Sequence, residues 1–266
     1  MLRAGRYVRV PARGTIFFGG GPVMRATSAL SPLGNARVAG LLVLLSLGCF
    51  AMVCFRPIVS GDRLFLFMLW NLFLAWLPYA ASVAATIIAG GGNGNGGSGG
   101  RGRKAPGVAA TVLVLGLGAL WLLFLPNSTY LTTDFIHLVA GRHRYVDRGE
   151  FGYLVWFDIV LFFLFAWCGV FLAYLSTYQF QRLVAIRFGR PAGWAFVGAV
   201  SLLTGYGVFL GRIVRLNSWD AWVRPMELIG EVLGNLHWRG ASFSLLFGVF
   251  MAVTYLFLYH LQEGDR

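Results

Sequence analysis

The stretch Tyr153-Leu154-Val155-Trp156-Phe157-Asp158-Ile159-Val160-Leu161-Phe162-Phe163-Leu164-Phe165-Ala166-Trp167-Cys168-Gly169-Val170-Phe171-Leu172-Ala173-Tyr174-Leu175 runs for 23 residues with a single charge, Asp158. About 20 apolar residues suffice for a helix to cross the hydrocarbon of a bilayer. In lipid, every backbone N–H and C=O must be paired within the protein, which leaves helices and closed barrels. The two-residue alternation of a barrel strand is absent here, so this stretch is a helix. Five further runs share its character: Val38–Phe55, Leu64–Ala89, Val108–Leu125, Ala192–Gly211 and Ala241–Tyr259. The expected fold is therefore all-α, a polytopic membrane bundle of about six transmembrane helices with short interfacial helices on the outer face.

Composition agrees. Only 12% of the 266 residues are charged and 58% are hydrophobic, against about 25% charged in an average soluble domain. Mean hydropathy is +0.70. A soluble enzyme domain, a disordered chain and a disulfide-rich secreted fold are excluded. The three cysteines, Cys49, Cys54 and Cys168, all lie inside apolar runs, with no metal-type spacing.

The expected organisation has a basic, disordered cytoplasmic tail over residues 1–37, a six-span membrane domain over 38–261, and a short cytoplasmic tail over 262–266. A Gly-rich linker, residues 90–107, joins spans two and three. Within it, Gly94 to Gly99 formally match a dinucleotide-binding fingerprint. That motif needs a preceding strand and a following helix in a soluble unit; a membrane span precedes it here, so it reads as flexible chain.

The net charge is +12. The basic residues fall in short segments between apolar runs, which points to topology and anionic headgroups rather than to nucleic acid. The face bearing both termini carries 13 Lys and Arg with two acids; the other face carries 9 with seven acids. The positive-inside rule then places both termini in the cytoplasm. The long loops after spans three and five share the outer face.

Those loops hold nearly all the informative polar residues. In Leu125-Pro126-Asn127-Ser128-Thr129-Tyr130-Leu131-Thr132-Thr133-Asp134-Phe135-Ile136-His137-Leu138, Pro126 is expected to stop or kink the third span. Asn127 or Ser128 would cap a new helix. On it, Tyr130, Asp134 and His137 recur at helical spacing, with Thr133 beside them, as one polar stripe. Asp134 and His137, three apart, suit an acid/base pair or half a metal site; the same stripe equally suits an interfacial helix hydrogen-bonded inside the bundle. His143 and Asp158 are the only further ligands nearby, so no metal is assigned.

Asp158 lies five residues into the fourth span, where an ionised carboxylate requires a partner. The third feature is Gly207-Val208-Phe209-Leu210-Gly211-Arg212-Ile213-Val214-Arg215-Leu216-Asn217-Ser218-Trp219-Asp220. Gly207 and Gly211 form a small-xxx-small surface for close helix approach. Arg212 and Arg215 would snorkel to headgroups, pair with Asp134 or Asp158, or present guanidinium forks to a phosphate or carboxylate. Asn217-Ser218 reads as an N-cap for a short turn carrying Trp219, Asp220 and Trp222. Pro225 then opens an amphipathic helix lying on the membrane plane.

The pattern L-P-N-x-x-Y-x-x-T-D-x-x-H-L, an acid early in the next span, and G-x-x-x-G-R-x-x-R-x-N-S-W-D resemble the bacterial integral-membrane family catalogued as domain of unknown function 1361. The likeness runs from about Val38 to Leu261. It implies a multi-pass protein of the bacterial cytoplasmic membrane and no established activity. It also implies that Asn127, Tyr130, Thr133, Asp134, His137, Arg212, Arg215, Asn217, Trp219 and Asp220 belong to one shared signature.

Three functional classes stand. The favoured one is an outer-face site that binds or processes an anionic lipid-like substrate, a phospholipid or polyprenyl phosphate. In it Asp134, His137 and Asp158 are the candidate catalytic groups. Asn127, Tyr130, Thr133, Arg212, Arg215, Asn217, Trp219 and Asp220 would bind substrate. The alternatives are a structural or accessory subunit of a membrane complex and a small proton- or cation-coupled transporter. No cofactor is expected. The expected partners are membrane lipid, an anionic amphiphile and, in the accessory reading, another membrane protein or a second copy of this chain; nucleic acid is not among them.

Overall fold

The computed structural model describes residues 36–61, 64–90, 107–141, 145, 152–235 and 237–264. The expected N-terminal tail lies mostly outside these residues, as do His143 and the body of the Gly-rich linker, whereas residues 262–264 of the expected C-terminal tail continue the last helix. Nine helices and no strand are found among the described residues. Six are long and apolar enough to cross a membrane: α1 (Ala36–Ser60), α2 (Phe67–Gly90), α3 (Val108–Thr133), α5 (Tyr153–Phe188), α6 (Arg190–Phe209) and α9 (Trp238–Gly264). Short helices α4 (Ile136–Ala140), α7 (Asp220–Val223) and α8 (Pro225–Gly234) lie in the two long connections.

Helix α5 is the central post. It packs against α1, α2, α3 and α6, while α2 lies along α3 and α6 along α9. Its inner face buries Leu161, Phe162, Phe165, Cys168 and Leu172 against Met68, Leu72 and Ala75 of α2 and Leu131 of α3. A second cluster joins Trp121 and Leu125 of α3 to Ala173 and Phe180 of α5, Val200 of α6 and Met251 of α9. Apolar side chains gain little from leaving lipid for protein, so close backbone approach carries more of the packing in a membrane bundle. At Gly169, an added Cβ would collide with the Ser128 carbonyl oxygen, so the glycine sets how near α3 and α5 lie.

Two sequence expectations are corrected here. The fourth span does not end at Leu175; it continues as one helix to Phe188, 36 residues in all. Apolarity fades after Leu175, but the polar residues that follow face the bundle. Ser176, Thr177 and Gln181 are buried, and Gln181 accepts a hydrogen bond from Tyr255 of α9. Nor does Pro126 end the third span. Helix α3 runs through it to Thr133. Two carbonyls beside the proline turn also accept side-chain hydrogen bonds: Asn127 Nδ2 donates to Phe124 O (3.2 Å) and Ser218 Oγ to Leu123 O (3.1 Å). In lipid, a helix continues past proline when such donors are supplied.

The spans alternate in direction. One end of the bundle, the rim, collects the end of α1, the start of α2, the end of α3, the start of α5, the end of α6 and the start of α9. Cross-helix contacts fix this assignment: Arg56 to Asp158, Asn71 to Asp134, and Arg212 to Asp134.

Candidate functional site

The site is built where α6 meets α3 at the rim. Gly207 faces the Pro126 ring so closely that a Cβ there would overlap it, and Gly211 lies against the Tyr130 ring. The small-residue surface of α6 is thus matched to the proline and tyrosine one turn apart on α3. Beyond this contact α6 widens into a π turn, Leu210–Val214. Such turns re-aim side chains and recur at functional sites. The turn ends at Arg215, held at φ 68°, while Leu216 N–H returns to the Leu210 carbonyl at 3.1 Å. A non-glycine residue in the left-handed region costs on the order of 1–2 kcal/mol.

This geometry separates the two arginines. Arg212 turns inward and lies flat on the Tyr130 ring, 3.8 Å from its centre. Its Nε and Nη2 donate to Thr133 Oγ1 at 2.8 and 2.6 Å, and Nη2 also donates to Asp134 Oδ1 at 2.5 Å. Its Nη1 makes no hydrogen bond among the described residues. Arg215 is exposed, and it makes no ion pair among the described residues. Arg212 is thus engaged by Thr133 and Asp134, while Arg215 keeps its side chain exposed.

Asp134 is fully buried. Arg212 holds one oxygen, and Asn71 Nδ2 of α2 donates to the other at 3.2 Å. Burial pushes its carboxyl above the ordinary carboxylate range, opposed by the Arg212 and Asn71 hydrogen bonds and the charges of Arg212 and His137. His137 stands on α4, beyond a break at Asp134 and Phe135, so the stripe is not one continuous helix. Its Nε2 is 3.9 Å from Asp134 Oδ1, its side chain is 38% exposed, and its ring meets Phe67 edge-on at 4.9 Å.

The connection after the π turn lies along α3. Asn127 Nδ2 donates to Ser218 Oγ at 2.9 Å. The expected cap at Asn217-Ser218 is not formed, because Ser218 is drawn to α3. Instead Asp220 Oδ2 accepts the Asn217 backbone N–H at 2.7 Å, and Arg224 reaches Oδ1 at 3.4 Å. Trp219 meets Trp70 of α2 at 6.3 Å between ring centres. The two signature stretches thus share one rim, and they are joined there by direct hydrogen bonds.

Asp158 belongs to a second cluster at the same end. It pairs with neither Arg212 nor Arg215. Arg56 of α1 grips it with Nε on Oδ1 (2.8 Å) and Nη2 on Oδ2 (2.9 Å). Tyr145 adds a hydrogen bond to Oδ2 at 2.8 Å, and Arg56 also covers the Phe65 ring at 4.3 Å. Burial, then the hydrogen bond to Asp158 and its charge, push the Tyr145 phenol above its usual value. Asp158 is wholly enclosed.

Sequence reasoning missed Arg56, Asn71, Trp70 and Tyr145. Two signals were present. Asn71 is a lone amide within an apolar run. Arg56 stands one residue past the first expected span, at the depth where Asp158 demanded a cation.

No curated protein and no solved structure matches the chain. A family model does match, over residues 70–254, which take in both signature stretches and Asp158 but leave α1 and Arg56 outside. By that match, the chain belongs to the family described as proteins of unknown function, DUF1361.

Proposed function

We propose that the rim binds the anionic headgroup of a membrane lipid, and that the protein sits in the bacterial cytoplasmic membrane with both termini inside and the rim outside. The observation that carries this reading is Arg215: an exposed cation without an ion pair among the described residues, held in a left-handed turn beside the cluster. Arg212 adds its unused Nη1 edge. Its charge is already balanced by Asp134, so it positions more than it attracts. Trp70 and Trp219 supply the amphipathic rings that favour headgroup depth. His137, half-buried and 3.9 Å from Asp134, is the group available to carry a proton in any processing of the bound lipid. Asp158, consumed by Arg56 and Tyr145, has a structural part in this reading.

The test is thermal stabilisation of the purified chain in detergent by soluble short-chain lipids. Dihexanoyl phosphatidylglycerol should stabilise it and dihexanoyl phosphatidylcholine should not. A ligand at a hundred times its Kd contributes about 2.7 kcal/mol. R215A should lose the shift while keeping the ligand-free midpoint. Equal stabilisation by the two lipids, or an undiminished shift in R215A, overturns the reading. Incubation with the lipid followed by mass spectrometry separates binding from processing, since any product should vanish in H137A.

A further inference from the structure

Helices α1 and α2 diverge and leave a groove of about 500 Å³ between them, within the roughly 300–1,000 Å³ usual for ligand pockets. Its walls are Val43, Leu47 and Phe50 of α1 and Leu69, Phe73 and Trp76 of α2. The polar groups at its edge are already paired: Trp76 Nε1–H donates to Ser46 Oγ at 3.1 Å, and Ser46 Oγ lies 3.3 Å from Cys168 Sγ. What remains to be contacted is apolar. Both walls belong to membrane-spanning helices, so the groove opens onto lipid chains.

The groove is continuous with the rim. Phe73 in its wall meets Trp70 at 5.3 Å, and Trp70 meets Trp219 beside the arginine turn. Three aromatic rings therefore lead from Trp219, four residues after Arg215 in the chain, to the groove mouth. On the same turn of α2, Asn71 reaches Asp134.

From this we infer that the occupant is one acyl chain of an anionic glycerophospholipid. Its headgroup lies at Arg215 and the free edge of Arg212, and its backbone lies across Trp219 and Trp70. The inference rests on the headgroup reading above and names the lipid class. Mass action favours a bulk phospholipid over a scarce amphiphile in a groove open to the bilayer. One groove seats one chain, and the other chain stays in the surrounding leaflet.

The experiment reconstitutes the full chain into bilayers of equal phosphatidylglycerol and phosphatidylethanolamine, extracts it in mild detergent, and weighs the lipid retained per protein. The unmodified chain should retain phosphatidylglycerol in excess. L47W fills the groove from a lipid-exposed position on α1, and R215A removes the headgroup cation. Each should lower retention roughly tenfold, the equivalent of about 1.4 kcal/mol. V112W, on the exposed face of α3, should leave it unchanged. Undiminished retention in L47W overturns the groove assignment and leaves the headgroup reading standing. Equal retention of both lipids by the unmodified chain overturns both. Displacement of the phosphatidylglycerol by one equivalent of a prenyl phosphate overturns the phospholipid assignment alone. Independently of any variant's folding, phosphatidylglycerol brominated on its acyl chains should quench Trp76 in the unmodified chain, read as the difference from W76F; absence of quenching also overturns the groove.

Discussion

At the scale of single residues, Asp134 links three helices through one carboxylate: α3 that bears it, α2 through Asn71, and α6 through Arg212. Removing one member of a buried ion pair costs about 3–5 kcal/mol, because the other charge is left stranded. D134A should therefore unfold far more easily than R215A in a denaturant or steric-trap measurement. The pH dependence has a definite sign. Burial raises the Asp134 carboxyl, so the folded chain holds its proton more tightly than the unfolded chain does. The resulting stability is fully present below the ordinary carboxylate range and is lost as pH rises through the raised value. D134N, which cannot titrate, should flatten that slope; an unchanged slope would show that Asp134 is not its source.

At the scale of elements, the contact of α6 with α3 rests on Gly207 meeting Pro126. G207A should destabilise by roughly 1–3 kcal/mol through overpacking, and P126A should recover part of that loss in the double variant. G48A is the control, since nothing lies within 4 Å of a Cβ at Gly48; it should be neutral or slightly stabilising. The same elements show what the sequence made legible. Apolar runs located all six spans, because hydrocarbon imposes a length and forbids charge over it. The runs did not locate helix ends. The helix runs on through Pro126 beside donors from Asn127 and Ser218, and Ser218 is 91 residues away from Asn127. The π turn at Leu210–Val214 has no apolar period of its own, so the divergence of Arg212 and Arg215 was invisible before the fold was known.

At the scale of the whole molecule, the meeting of the two signature stretches was legible, since alternating spans put both loops at one end. Which arginine serves which aspartate was not, because that choice is made by helix neighbours. Arg56 serves Asp158 because α1 leans on α5. Helix α1 lies outside the matched family region. R56M should raise amide exchange across residues 36–60 and leave α6 and α9 protected; uniform loosening would contradict that account.

The placement of charge along the long axis has a further consequence. The three buried carboxylates, Asp134, Asp158 and Asp220, each with a guanidinium, occupy the rim. At the far end, uncharged groups join α9 to its neighbours: Tyr174 of α5 donates to Gln262 at 2.6 Å, Tyr255 donates to Gln181 of α5, and Trp194 of α6 sits 4.8 Å from Tyr259. The bundle is thus polarised in its chemistry: buried ion pairs hold the rim, while neutral donors and rings hold the far end, where Arg187 and Arg190 stand exposed on the surface.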